Sequence, residues 1–127
     1  MEFVATINIH MYSCVSERIR SNEVYLTENQ KEHIINRRGR DFYEQYSPYF
    51  REVIEKPDYI FKDKAHENTA IASKTILVNG KHLNLVVRLA VEDDREGLEN
   101  SVITAIVEND RRYSQRLRNN IPLYKSE

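Results

Sequence analysis

From Phe3 to Ile9 apolar and polar residues alternate, with Phe3, Ala5, Ile7 and Ile9 on one side, and this period of two predicts a strand. Tyr12 to Asn22 reads equally as a short helix or a loop. Glu23-Val24-Tyr25-Leu26 reads as a short strand or as the apolar lead-in to a helix. That helix is marked by Thr27, which has capping-box spacing to Gln30, and by Gly39, whose tolerance of positive φ suits a helix end. A second helix over Asp41 to Ile54, re-initiated at Ser47-Pro48, puts Phe42, Tyr46, Phe50, Val53 and Ile54 on one buried stripe; Lys56-Pro57 ends it. Beyond it the period changes. Asp58 to Lys62, Ala70 to Val78, His82 to Val91 and Ser101 to Glu108 read as strands, with Asn79-Gly80 predicting a two-residue type I′ hairpin. Arg111 to Asn119 reads as a short basic helix closed by Asn119-Asn120-Ile121-Pro122, and Leu123-Tyr124 as a terminal extended piece. Helices grouped early and strands grouped late predict an α+β fold, with the N-terminal helices on one face of a mostly antiparallel sheet of four to five strands.

With 127 residues the chain suits one domain spanning 1–127, and 40% hydrophobic with 31% charged residues is a globular composition. A formal net charge of -1 excludes a uniformly basic coat, so any anion-binding surface must be local. Arg37, Arg38 and Arg40 form one basic cluster and Arg111, Arg112, Arg116 and Arg118 another, with Glu92, Asp93, Asp94, Glu96 and Glu99 between them. The single cysteine, Cys14, has no disulfide partner and no ligand-spaced neighbour, and is expected as a small core residue. No basic n-region precedes an apolar block and no apolar run is long enough to cross a bilayer, which predicts a cytoplasmic protein without a membrane partner.

His33 and Arg37, four apart on the first long helix, share a face, which pairs a titratable imidazole with a permanent planar cation. Arg88 interrupts the apolar series Leu85-Val86-Val87 and Leu89-Ala90-Val91, where a charge requires a partner. Lys74 is similarly placed in its strand. Arg112 and Arg116 share one face of the terminal helix and suit phosphate contacts. His10, His66 and His82 lack ligand-spaced partners and are expected at the surface or in turns; Asp93-Asp94 lacks calcium-loop spacing. The three glycines form no phosphate loop, so no cofactor and no metal is expected. Tyr43, Tyr46 and Tyr49 are expected to pack the second helix against the sheet rather than to stack on bases.

The run HIINRR…YFREVIEKPDYIFKD…LNLVVRLA…NSVITAIVEN…LYK resembles the phage-associated branch of the barnase/EndoU/colicin/RelE-like nuclease fold, from about Glu23 to Lys125. The resemblance rests on a helix bearing a His-Ile-x-x-Arg-His motif, a second helix ending before Pro-Asp, a hydrophobic strand closing in a basic residue, and a last strand carrying Ser or Thr. It implies metal-independent RNA cleavage by attack of the 2′-OH. His33 would serve as acid or base, Arg37 and Arg88 as phosphate ligands and Thr104 as the last-strand hydroxyl, while Arg38, Lys74, Arg112 and Arg116 would bind substrate. The motif's second histidine falls at Arg38, so a two-histidine scheme does not transfer. RNA is the expected partner. An immunity protein or antitoxin, and the oligomeric state, are left open, as is a non-catalytic RNA-binding or regulatory module that keeps the fold.

Overall fold

The computed structural model describes residues 1–127. Its strands are β1 (Glu2–Thr6), β2 (Glu23–Leu26), β3 (Tyr59–Lys62), β4 (Thr69–Thr75), β5 (His82–Arg88), β6 (Asn100–Glu108) and β7 (Tyr124–Lys125). They form one seven-stranded sheet in the order β1-β2-β6-β5-β4-β3-β7. Five of its six strand pairings are antiparallel, and only β2 and β6 run parallel, over Val24–Asn100 and Tyr25–Ser101. The sheet therefore has more strands than the four to five expected, because two short edge pieces join it at either end. The helices are α1 (Ile9–Tyr12), α2 (Glu28–Arg38), α3 (Arg40–Tyr46), α4 (Phe50–Glu55) and α5 (Asp110–Asn119), with a 3-10 turn at Ser47–Tyr49.

The caps of α2 are as the sequence predicts. Thr27 Oγ1 accepts from Gln30 N at 3.1 Å, and Gly39, at φ 100°, ends the helix and starts α3. Pro48 in the 3-10 turn then redirects the chain into α4, so Tyr46, Phe50, Val53 and Ile54 are all buried. They pack on Leu83, Leu85 and Val87 of β5 and Ala70 and Ala72 of β4, the inner face of the sheet. Each such side chain contributes about 1.5–3 kcal/mol of burial. α2 adds Ile34, fully buried, to the same core. Tyr12 supplies a polar tie: its hydroxyl donates at 2.7 Å to Ile54 O, one of the carbonyls that the end of α4 leaves unpaired.

Four expectations are corrected. The first strand stops at Thr6, since Asn8 caps α1 by accepting from Met11 N. Cys14 is exposed, because the turn after α1 presents Val15 and Ser16 inward instead. The β4–β5 connection is not type I′. Asn79 does not have the positive φ that turn needs, and a longer loop is closed by Ile76 N to Lys81 O and Gly80 N to Ile76 O. Finally, α5 packs on the outer face of the sheet, opposite the other helices. Its Tyr113 is buried against Ser73 and His82, whose side chains alternate outward from the core-facing positions of β4 and β5.

Candidate functional site

The outer face of β4, β5 and β6 carries Thr69, Ile71 and Ser73, then His82, Asn84, Val86 and Arg88, then Thr104, Ile106 and Glu108, as their cross-strand registers require. α5 covers one end of this face. The remainder is an open groove of about 760 Å³, with Ile71, Val86, Ile103, Thr104 and Ile106 along it, and Asp63, Ala65, His66, Glu67, Arg88 and Arg116 around it. Its size lies within the range of ligand clefts.

Arg88 and Thr104 both line this groove. Thr104 of β6 pairs with Val86 of β5, and Arg88 follows two residues on along the same face, level with Ser101 beyond the irregularity between Val86 and Val87. The partner that a charge in so apolar a strand requires is Asp94. Arg88 Nη2 donates to Asp94 Oδ1 at 2.8 Å and Nη1 to Asp94 Oδ2 at 3.2 Å, with a further bond from Nη1 to Leu89 O. This fork, with Val91 N donating to the same carboxylate at 2.8 Å, holds the Asp94 carboxyl below its usual range. The acidic turn is itself fixed: Arg20 donates to the carbonyls of Asp94, Arg95 and Leu98 at 2.9, 2.6 and 2.7 Å. Arg116 of α5 reaches the other end of the groove and forks onto Glu108, Nε to Oε1 at 2.8 Å and Nη2 to Oε2 at 3.2 Å.

His66 is the imidazole that lines this groove, and sequence reasoning did not select it. Its Nδ1 lies 3.4 Å from Asp63 Oδ2, and 74% of its side chain is exposed. The only cue was the Asp63-x-x-His66 spacing in a turn. His82, expected at the surface, is instead buried on β5. Its Nδ1 meets Thr75 Oγ1 at 2.9 Å and its Nε2 meets Asp110 Oδ1 at 2.7 Å.

The α2 candidates sit elsewhere. β2 pairs with β6 at Asn100 and Ser101 alone, so beyond them β6 has no strand on that side. α2 occupies the gap, and Arg38 Nε donates to Ala105 O at 3.1 Å. His33 and Arg37 are exposed on α2, one helical step round from Ile34 and Arg38, and neither lines the groove. Lys74 projects to the inner side of the sheet, donating to Lys56 O at 2.9 Å and lying 3.6 Å from Asp58. It borders a separate cleft of about 380 Å³. Arg112 is exposed on α5. The structure thus places Arg88, Thr104 and Arg116 along one groove and leaves His33, Arg37 and Arg38 along the adjoining edge. Lys74 and Arg112 stand apart from both. No three His, Cys, Asp or Glu side chains converge as metal ligands would, and no helix is long and apolar enough to cross a membrane.

Comparison with curated proteins and with solved structures gave no match. The family model described as phage-Barnase-EndoU-ColicinE5/D-RelE like nuclease2 matches residues 5–125, which takes in every element from β2 to α5 and all of the residues described above. The chain belongs to this family of phage-associated nuclease-like proteins.

Proposed function

We propose that the chain is a metal-independent endoribonuclease that cuts RNA by attack of the 2′-OH on the adjacent phosphodiester. The observation that carries this reading is that Arg88 and Thr104 line one open groove, where Arg88 is already fixed by Asp94 yet keeps donors unused. Arg88 would hold a non-bridging phosphate oxygen and Thr104 would bond to the same group, stabilising charge as the phosphorus becomes five-coordinate. A base takes the 2′-OH proton, the 2′ oxygen bonds to phosphorus, the bond from phosphorus to O5′ breaks, and an acid protonates O5′. A 2′,3′-cyclic phosphate and a 5′-hydroxyl result. For the proton transfers the motif favours His33, with Arg37 beside it, whereas the groove itself supplies His66, oriented by Asp63. Arg38, Lys74 and Arg112 would bind the strand outside the cleavage point. Such an enzyme would act in the cytoplasm, where an immunity protein or antitoxin could restrain it.

The test is incubation with single-stranded RNA and with DNA of the same sequence in EDTA. Cleavage of RNA alone, leaving 2′,3′-cyclic ends, is the expected result. Equal cutting of DNA, or dependence on an added divalent ion, would overturn the proposal. A second reading, a non-catalytic RNA-binding module, is favoured by Arg38 at the place of the motif's second histidine and by the carboxylates on both groove arginines. Binding of RNA without cleavage selects it.

A further inference from the structure

The two arginines of the groove are held in complementary ways. A guanidinium has five N–H donors in a rigid plane. Asp94 takes the end of Arg88, one hydrogen each from Nη1 and Nη2, and Leu89 O takes the other hydrogen of Nη1. Nε–H and the second Nη2 hydrogen remain, and these form the parallel side-on pair. Glu108 takes that side-on edge of Arg116 through Nε and Nη2, which leaves both Nη1 hydrogens and one on Nη2. Each arginine is therefore immobilised by one carboxylate with a bidentate edge still unoccupied, and both line the same groove.

Their anchors lie at opposite ends of it. Arg88 is level with Ser101 and Glu108 is level with His82, six residues of β5 apart, or roughly 20 Å of strand at about 3.4 Å per residue. A mononucleotide does not reach across such a span. A single strand with several phosphates does, its bases lying over the apolar row of Val86, Ile103 and Ile106. The four anchoring side chains are only 12–27% exposed, so ordering these arginines has been completed before a ligand arrives.

We infer that Asp94 and Glu108 are positioning residues that present Arg88 and Arg116 as a two-point clamp for two phosphates of one single-stranded RNA. The inference rests on the nuclease reading above and names the substrate's form: an extended strand of at least two phosphates rather than a nucleotide or a duplex.

The opposite interpretation is that the carboxylates compete with phosphate, and the two differ in sign. The probe is a fluorescently labelled 2′-O-methyl RNA oligonucleotide, which lacks the attacking hydroxyl, so binding is measured without cleavage. Asp94→Asn and Glu108→Gln each make the protein one unit more positive, which by charge alone tightens binding of an anion. The clamp requires each to weaken it instead, by about tenfold for one well-placed charged contact. Asp93→Asn, the same charge change beside Asp94 but on an exposed residue paired with Arg18, is expected to leave affinity unchanged or slightly better. Arg88→Gln and Arg116→Gln should each lower the log–log salt slope by about 0.7, one phosphate of a single strand. Melting curves check each fold, and Glu108→Gln at the far end carries the test if Asp94→Asn does not fold. Equal or tighter binding in Asp94→Asn or Glu108→Gln would overturn the clamp while leaving the nuclease reading intact. A wild-type protein that binds no single-stranded RNA would overturn both.

Discussion

The rings of His82 and Tyr113 lie face to face, centroids 4.0 Å apart and planes 4° from parallel, and this stack joins β5 to α5. Ser73 Oγ donates to the Tyr113 hydroxyl at 2.7 Å and Asp110 closes the other side of the imidazole. Burial pushes the Tyr113 phenol up to about 12, from its ordinary value of 10.0. Because the folded value is the higher one, this contribution to stability is complete below pH 10 and is lost as pH rises towards 12. Tyr113→Phe keeps the stack and removes the titration. Its urea midpoint should fall less between pH 9 and 11 than that of the wild type; an identical fall would show that the phenol does not ionise on unfolding.

The Arg88–Asp94 fork predicts the opposite pH dependence. The Asp94 carboxyl is held below its ordinary value of 3.8, chiefly by its bond to Arg88. Its contribution is present above that value and disappears as pH falls through the folded one. Thermal unfolding of wild type and Asp94→Asn should therefore differ near neutrality and converge as pH falls well below the ordinary value of 3.8.

The two imidazoles are separable by rate. Loss of the residue that transfers the proton should lower cleavage of single-stranded RNA by roughly 10²- to 10⁴-fold with little change in binding. His33→Ala showing that loss supports the α2 motif, and His66→Ala showing it supports the groove. Both side chains are exposed, so neither substitution should shift the melting temperature by more than a degree or two.

Asn100 carries the strongest stability prediction. It is fully buried, accepts from Ala90 N at 2.7 Å, and donates to Ser21 O at 2.8 Å and Glu23 O at 2.9 Å. One side chain thus joins the segment after β5, the start of β6 and the approach to β2. Asn100→Ala orphans the buried Ala90 N–H and the partly buried carbonyls of Ser21 and Glu23, and should cost roughly 2–4 kcal/mol, read as a lower denaturant midpoint at unchanged slope. Asn100→Asp keeps the acceptor but loses the donors, and should cost nearly as much.

What the chain revealed in advance was whatever depends on near neighbours. Thr27, Gln30 and Gly39 fix α2 through contacts within a few residues, and the change of period after Pro57 marks where the run of strands begins. That Arg88 needed a partner was also legible. That the partner is Asp94 was not, since it depends on a turn drawn back by Arg20, more than seventy residues away. α5 offered a basic face but no cue that Tyr113 would carry it to the outer side of the sheet. His82 was misread for the same reason: a histidine among the outward positions of β5 is exposed only until a helix settles over it. His66 lies in a turn whose place at the groove mouth is set by β3 and β4 together, so its local sequence is uninformative.

The half-unpaired length of β6 bears on how the protein behaves in company. From Val102 to Glu108 the strand has no neighbouring strand on the side away from β5, and such an edge is a template on which a second polypeptide can add. Arg38 blocks it by occupying Ala105 O and setting a bulky cation across the edge. Exchanging Arg38 for a small residue would therefore expose an adhesive border, and light scattering that climbs with protein concentration would reveal it.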